Sequence, residues 1–106
     1  MGAPADRGED IRAKVNRETS RIAWKDLQRQ FAGGVTLAVA GDLDLVEVAF
    51  QMSADNAVQI RQWMAAGKFG KVSDEQAGIW FEADAQLWAV VVSPWVLVQQ
   101  VADREP

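Results

Sequence analysis

The chain of 106 residues contains no cysteine, no histidine and no tyrosine. Without cysteine there are no disulfides and no thiolate metal sites. Without histidine the commonest general base and transition-metal ligand are missing, and so is every Ser-His arrangement. Ser20, Ser53, Ser73 and Ser93 have no imidazole to activate them. Acid–base chemistry would fall to Asp, Glu or Lys, which lowers the expectation of an enzyme. No block of five like charges occurs, and neither Gly33-Gly34 nor Gly67-x-x-Gly70 opens onto a Gly-Lys-Ser/Thr phosphate loop. The first ten residues lack the apolar core of a secretory signal. The longest apolar run falls short of the roughly 20 residues that span a bilayer. A cytoplasmic protein without a membrane segment is expected.

What is present is first a run from Leu87 to Val98, Leu-Trp-Ala-Val-Val-Val-Ser-Pro-Trp-Val-Leu-Val, broken only by Ser93 and Pro94. A strand with one wet face alternates apolar and polar residues. This run does not, so both of its faces should be covered, by the chain's own helices or by a partner. It is expected as a strand over 87–92, a bulge or sharp bend at Ser93-Pro94 (a pair without the Gly or Asn of a two-residue hairpin) and a strand over 95–99.

Net charge is −4, from 11 basic and 15 acidic residues. Lys and Arg predominate up to residue 34, Asp and Glu beyond it. Residues 1–8 and 102–106 are expected as flexible tails around one domain at 9–101.

Ile11, Val15 and Ile22 share one side of a helical wheel, whereas Trp24, Leu27 and Phe31 fall nearly opposite. One straight helix cannot bury both stripes in one core. The spacing therefore predicts a helix over 9–19, a break at 19–23 and a second helix over 24–32 stopped by Gly33-Gly34. A short strand follows at 35–39. Asp44-Leu45-Val46-Glu47 has the pattern of a capping box, with Leu43 and Val48 placed as a hydrophobic staple, and predicts a helix over 45–52. Asp55 is the expected N-cap of a helix over 56–66 that buries Ala57, Ile60, Trp63 and Met64, and Gly67 ends it. Phe69 to Val72 is a weak strand candidate. Ser73-Asp74-Glu75-Gln76 is a second capping box, opening a helix to Ala83 that buries Ala77, Trp80 and Phe81. The sum is an α+β domain: four to five helices around a small sheet of three to four strands, with the 87–99 segment central.

With these elements placed, the chain resembles a bacterial family of domains of unknown function, number 2288. The likeness is carried by Glu18-Thr19, Trp24-Lys25-Asp26-Leu27, Phe31-Ala32, Leu43-Asp44-Leu45-Val46-Glu47-Val48-Ala49, Trp63 with Gly67, and Val72-Ser73-Asp74-Glu75-Gln76-Ala77. Leu87-Trp88 and Pro94-Trp95-Val96-Leu97-Val98-Gln99 complete it, the last string being the most specific. It extends over about residues 9–100 and implies a single domain. It carries no activity, ligand or catalytic residue.

Three constellations remain. Asp42, Asp44 and Glu47 form an acidic cluster that a hard cation could use, but it lacks the length and glycine of a calcium loop, and helix capping accounts for Asp44 and Glu47. The five tryptophans, at 24, 63, 80, 88 and 95, lie on inferred apolar faces. Trp24 and Trp95 are the pair expected at the surface as interface anchors. Arg17, Arg21, Lys25 and Arg29, spaced by four, would make a basic ridge for phosphates only on an unbroken helix.

The reading these features support is a small non-catalytic interaction protein that self-associates, most simply as a homodimer, with Trp24, Trp95, Val96, Leu97 and Val98 at the seam. A further protein partner is compatible with it. No cofactor or metal is expected. One alternative is a metal- or ligand-dependent enzyme using Asp42, Asp44, Glu47 and Glu82. The other is a nucleic-acid accessory factor using the basic N-terminal helices, and the acidic remainder of the chain argues against it.

Overall fold

The long apolar run is shielded on both faces by the chain's own helices. The computed structural model describes residues 18–101. The run forms two antiparallel strands, β4 (Gln86–Val92) and β5 (Trp95–Gln100). They join three shorter strands, β1 (Ser20–Ala23), β2 (Thr36–Val39) and β3 (Phe69–Lys71), in one sheet of order β1-β4-β5-β2-β3. Only the β2–β5 pair is parallel. The sheet has five strands where three or four are expected from sequence, and β5 holds its middle.

Among the described residues four α-helices pack against this sheet: α1 (Gln28–Ala32), α2 (Leu45–Ser53), α3 (Ala57–Ala65) and α4 (Asp74–Glu82), with a 3-10 turn at Trp24–Leu27 leading into α1. Side-chain alternation along the strands divides the core in two. Leu37, Val39, Phe69, Val90 and Leu97 face Leu45, Val48 and Ala49 of α2 on one side, here face A. Leu87, Ala89, Val96 and Val98 face Trp24, Leu27, Ala77 and Trp80 on the other, face B. Leu87, Leu97 and Val98 are fully buried. Val91, 61% exposed near the hairpin, is where the cover ends.

Capping chemistry sets most helix boundaries. Asp44 Oδ1 accepts from Val46 N at 3.0 Å and opens α2. Ser73 Oγ accepts from Gln76 N at 3.0 Å and opens α4. The cap of α3 is Asn56, whose Oδ1 accepts from Gln59 N at 3.2 Å, and not Asp55. Asp55 sits one residue earlier with φ at 59°, in the left-handed position that ends α2. Each helix closes this way, with Gly34, Asp55, Gly67 and Asp84 at positive φ. The next amide then donates back into the last turn, as Lys68 N does to Trp63 O at 2.9 Å.

The expected helix over 9–19 lies outside the described residues but for its last two. The expected break at 19–23 is strand β1, paired antiparallel with β4 from Ser20↔Ala89 to Ala23↔Gln86. Residues 24–32 are not one helix but a 3-10 turn followed by five α-helical residues. Ser93-Pro94 is no bulge: the pair, joined by a cis peptide bond, is the two-residue turn of a hairpin closed by Val92↔Trp95.

Candidate functional site

The residues expected to form a dimer seam are used inside the chain. Trp24 is fully buried, packed edge to face against Phe31 and Trp80, and is no surface anchor. Its apolar stripe is the one that the 3-10 turn lays on face B. Val96, Leu97 and Val98 are buried, with β4 on one side of their strand and β2 on the other. A strand with both edges paired has no backbone groups left for a partner strand. Trp95 is half-buried against the face A core.

The acidic cluster is split among three separate tasks. Asp42 pairs with Lys68 across the mouth of the β2–α2 loop. The hydrogen bond from Lys68 chiefly holds the Asp42 carboxyl below the ordinary carboxylate range, against an opposing desolvation, and the charge of Lys68 adds to the lowering. Asp44 caps α2. Glu47 Oε2 accepts from Gln51 Nε2 at 2.6 Å, and Gln51 Oε1 accepts from Asn56 Nδ2 at 2.8 Å. That relay ties α2 to the corner before α3. Among the described residues no three His, Cys, Asp or Glu side chains are grouped to hold a metal ion.

The basic ridge is broken by β1. Arg21 lies across from Trp88, its guanidinium 5.0 Å from the ring centroid. Lys25, the second residue of the 3-10 turn, lies 5.1 Å from the Phe81 ring and 3.7 Å from Asp84. Arg29 is exposed on α1, and Arg17 lies outside the described residues. No helix among the described residues is long and apolar enough to cross a membrane.

The surface feature that sequence reasoning missed is α3. Its period places Ile60 and Trp63 inward, and both pack only partly against the face A core. No residue of α3 is buried, whereas α2 buries Leu45, Val48 and Ala49 and α4 buries Ala77 and Trp80. The opposite side presents Val58, Arg61, Gln62 and Ala65, all exposed. Val58 is 60% exposed and Met64, on the flank, 51%. Arg61 is the only charge in the helix. The signal was legible as a helix over 56–66 with a single charged side chain, but Ala57 and Met64, both exposed, were counted as core.

α4 offers a different surface. Ile79 and Phe81 are exposed there beside Asp74, Glu75 and Glu82. The last turn of α4 carries no basic residue. Two copies of this acidic surface would repel one another.

The comparisons with known proteins agree with this architecture. A solved structure described as the NMR solution structure of PA1075 from Pseudomonas aeruginosa matches with a TM-score of 0.79 at 37% identity, over 100% of this chain and 98% of that one. No curated protein matches. The family model described as "Protein of unknown function (DUF2288)" matches residues 10–100. By that match, spanning nearly its full length, the chain belongs to the DUF2288 family.

Proposed function

We propose that this chain is a protein-interaction module without catalytic chemistry of its own, and that it pairs with a second copy of itself through the outer face of α3. The observation that carries the reading is that α3 buries none of its nine residues. Helices shorter than about 12–15 residues are marginal in water, and tertiary packing supplies most of their stability. A packing partner on the outer face of α3 would bury Val58, Ala65 and Met64.

Charge supports a second copy as that partner. A twofold contact sets one patch against itself, so a patch of one sign repels its image. The face of α3 has a single charge. In an antiparallel pair, Val58 of one copy lies over Ala65 of the other and Arg61 meets Gln62, so the only like charges brought near each other are the two Arg61, whose long exposed side chains can turn out to water. The acidic surface of α4 lacks this property. The seam is thus a helix face and not strand 95–99, whose backbone is paired on both edges.

Gel filtration with light scattering tests the reading. At micromolar concentration the mass should be that of two chains. A mass of one chain across that range overturns self-association.

A further inference from the structure

α4 carries two residues that a helix does not favour for its own sake. Gly78 stands in its middle, where glycine costs stability relative to alanine. Its φ is not positive, and a Cβ added there would meet nothing within 4 Å. Neither the backbone nor crowding inside the chain therefore requires glycine. Glu82 lies in the last turn, where the negative end of the helix dipole opposes a carboxylate. Asp74, Gly78 and Glu82 follow one another at intervals of four, so the three share one side of the helix.

That side borders an open groove between α1 and α4. Phe31 of α1 with Ala77 and Phe81 of α4 supply its apolar lining, and Asp74, Glu75 and Glu82 supply its charge. Phe81 is 44% exposed. No Lys or Arg lines the groove, and among the described residues none pairs with Asp74, Glu75 or Glu82. Lys25, set against the Phe81 ring, is paired with Asp84 instead.

An apolar floor, a row of carboxylates and a missing side chain in the row's middle suit one mode of recognition, an amphipathic helix laid in a groove. Such a helix comes closest at Gly78, where no Cβ stands between the two backbones. Its charge has to be positive, because three carboxylates without a cation beside them attract Lys and Arg and repel another acidic surface. A second copy of this face fails that requirement, since it would bring the same three carboxylates.

We propose that the α1–α4 groove docks a cationic amphipathic helix of a different protein, which crosses α4 at Gly78. The apolar side of that helix lies on Phe31 and Phe81, and its Lys or Arg side chains meet Asp74, Glu75 and Glu82. α4 covers face B and α3 packs on face A, so this docking stands independently of self-association.

The test is a titration of the full ¹⁵N-labelled chain followed by NMR. The probe is a synthetic Leu/Ala/Lys peptide of about 18 residues, long enough to be helical, and the control carries Glu for every Lys. The Lys peptide should move the Gly78 and Phe81 amides saturably, and more than those of Asp44 and Asp55, which are exposed acids elsewhere on the surface. The Glu peptide should move none of them. Salt at about 0.5 M should weaken the response. Glu82→Lys should weaken it about tenfold, since it reverses one of three contacting charges. Gly78→Leu suits a helix and has space for its side chain, so it should keep the native fold and abolish the response. If Gly78→Leu fails to fold, Glu75→Lys joins Glu82→Lys, and each must weaken the response. Silence of Gly78 and Phe81, equal movement at Asp44 and Asp55, or a response unchanged in the variants overturns the proposal. So does a shift of Gly78 without peptide when Arg12, Lys14 and Arg17 are all changed to Glu, because that assigns the groove to the chain's own basic segment.

Discussion

Trp24 and Trp80 meet edge to face, with ring centroids 5.2 Å apart and planes at 65°. The contact joins the 3-10 turn to α4 across face B. Phe31 of α1 closes on Trp24 from another side, with centroids 5.4 Å apart. Aromatic pairs in this geometry add about 0.5–1.5 kcal/mol beyond their burial. Trp24→Ala should therefore lose about 3–5 kcal/mol, the usual cost of deleting a fully buried tryptophan. Trp24→Phe should cost clearly less, because the indole N–H of Trp24 is buried without a partner and its removal leaves no broken hydrogen bond. Urea unfolding of the three proteins measures both. Equal losses for the two variants would show that indole volume is not what matters.

Gln99 fixes the loop between β2 and α2. Its Nε2 donates to Ala40 O at 2.8 Å and to Leu43 O at 2.7 Å. Gln99→Glu presents a carboxylate to two carbonyls and removes both donors. A loss of about 1–3 kcal/mol is expected, the scale for stranding partly buried polar groups. Hydrogen exchange should report faster opening in residues 40–43, and unchanged exchange there would contradict the role.

Asp55 and Asp84 occupy left-handed positions after α2 and α4, with φ at 59° and 52°. A side chain in that region costs roughly 1–2 kcal/mol relative to the right-handed region, and glycine avoids the cost. Gly34 and Gly67 fill the equivalent positions after α1 and α3. Asp55→Gly should raise the melting temperature, with the gain reduced by the greater freedom of glycine in the unfolded chain. Asp84→Gly should gain less, since it also removes the ion pair with Lys25.

The Asp42–Lys68 pair gives a pH dependence of known sign. The folded-state pKa of Asp42 is depressed, chiefly by the hydrogen bond from Lys68. Its contribution is present above the unfolded-state value and is lost as pH falls through the lowered folded value. Lys68→Ala should return the Asp42 titration to the ordinary carboxylate range and flatten the stability profile in acid. NMR titration of the Asp42 carboxyl carbon reads this directly. A midpoint unmoved by the substitution would sever the pair.

Val58→Glu places a charge at the apolar end of the α3 seam, against Ala65 of the second copy. If two copies meet there, the variant should run as a single chain at concentrations where the parent is paired, with circular dichroism unchanged. The side chain is 60% exposed, so the fold of one chain should tolerate the change within about 0.5 kcal/mol.

The elements that proved legible are those encoded locally. Asp44 and Ser73 announce helix starts because a short oxygen-bearing side chain satisfies amides only two or three residues on. Gly34 and Gly67 announce ends because the left-handed position favours glycine. The apolar run, interrupted only by Ser93-Pro94, announced a strand pair covered on both faces, since a strand with one wet face would alternate apolar and polar residues. β1 was not legible: Ser-Arg-Ile-Ala has no pattern of its own and becomes a strand only by pairing with β4, 67 residues away in the register Arg21↔Trp88. The same holds for Trp24. A helical wheel placed it on an apolar stripe but not in the centre of the face B core.

Sequence alone, then, determined which segments are apolar, where helices are capped, and that these 106 residues supply no imidazole and no thiol. These follow from residue identity and from interactions within a few positions of the chain. The tertiary structure decided what those segments touch. It seated β5 between β4 and β2, drew Asp42, Asp44 and Glu47 to three different partners, and left α3 half-covered. Such outcomes depend on contacts between residues far apart in sequence, and each is chosen by competition among whole packings of the chain. No local pattern records that competition.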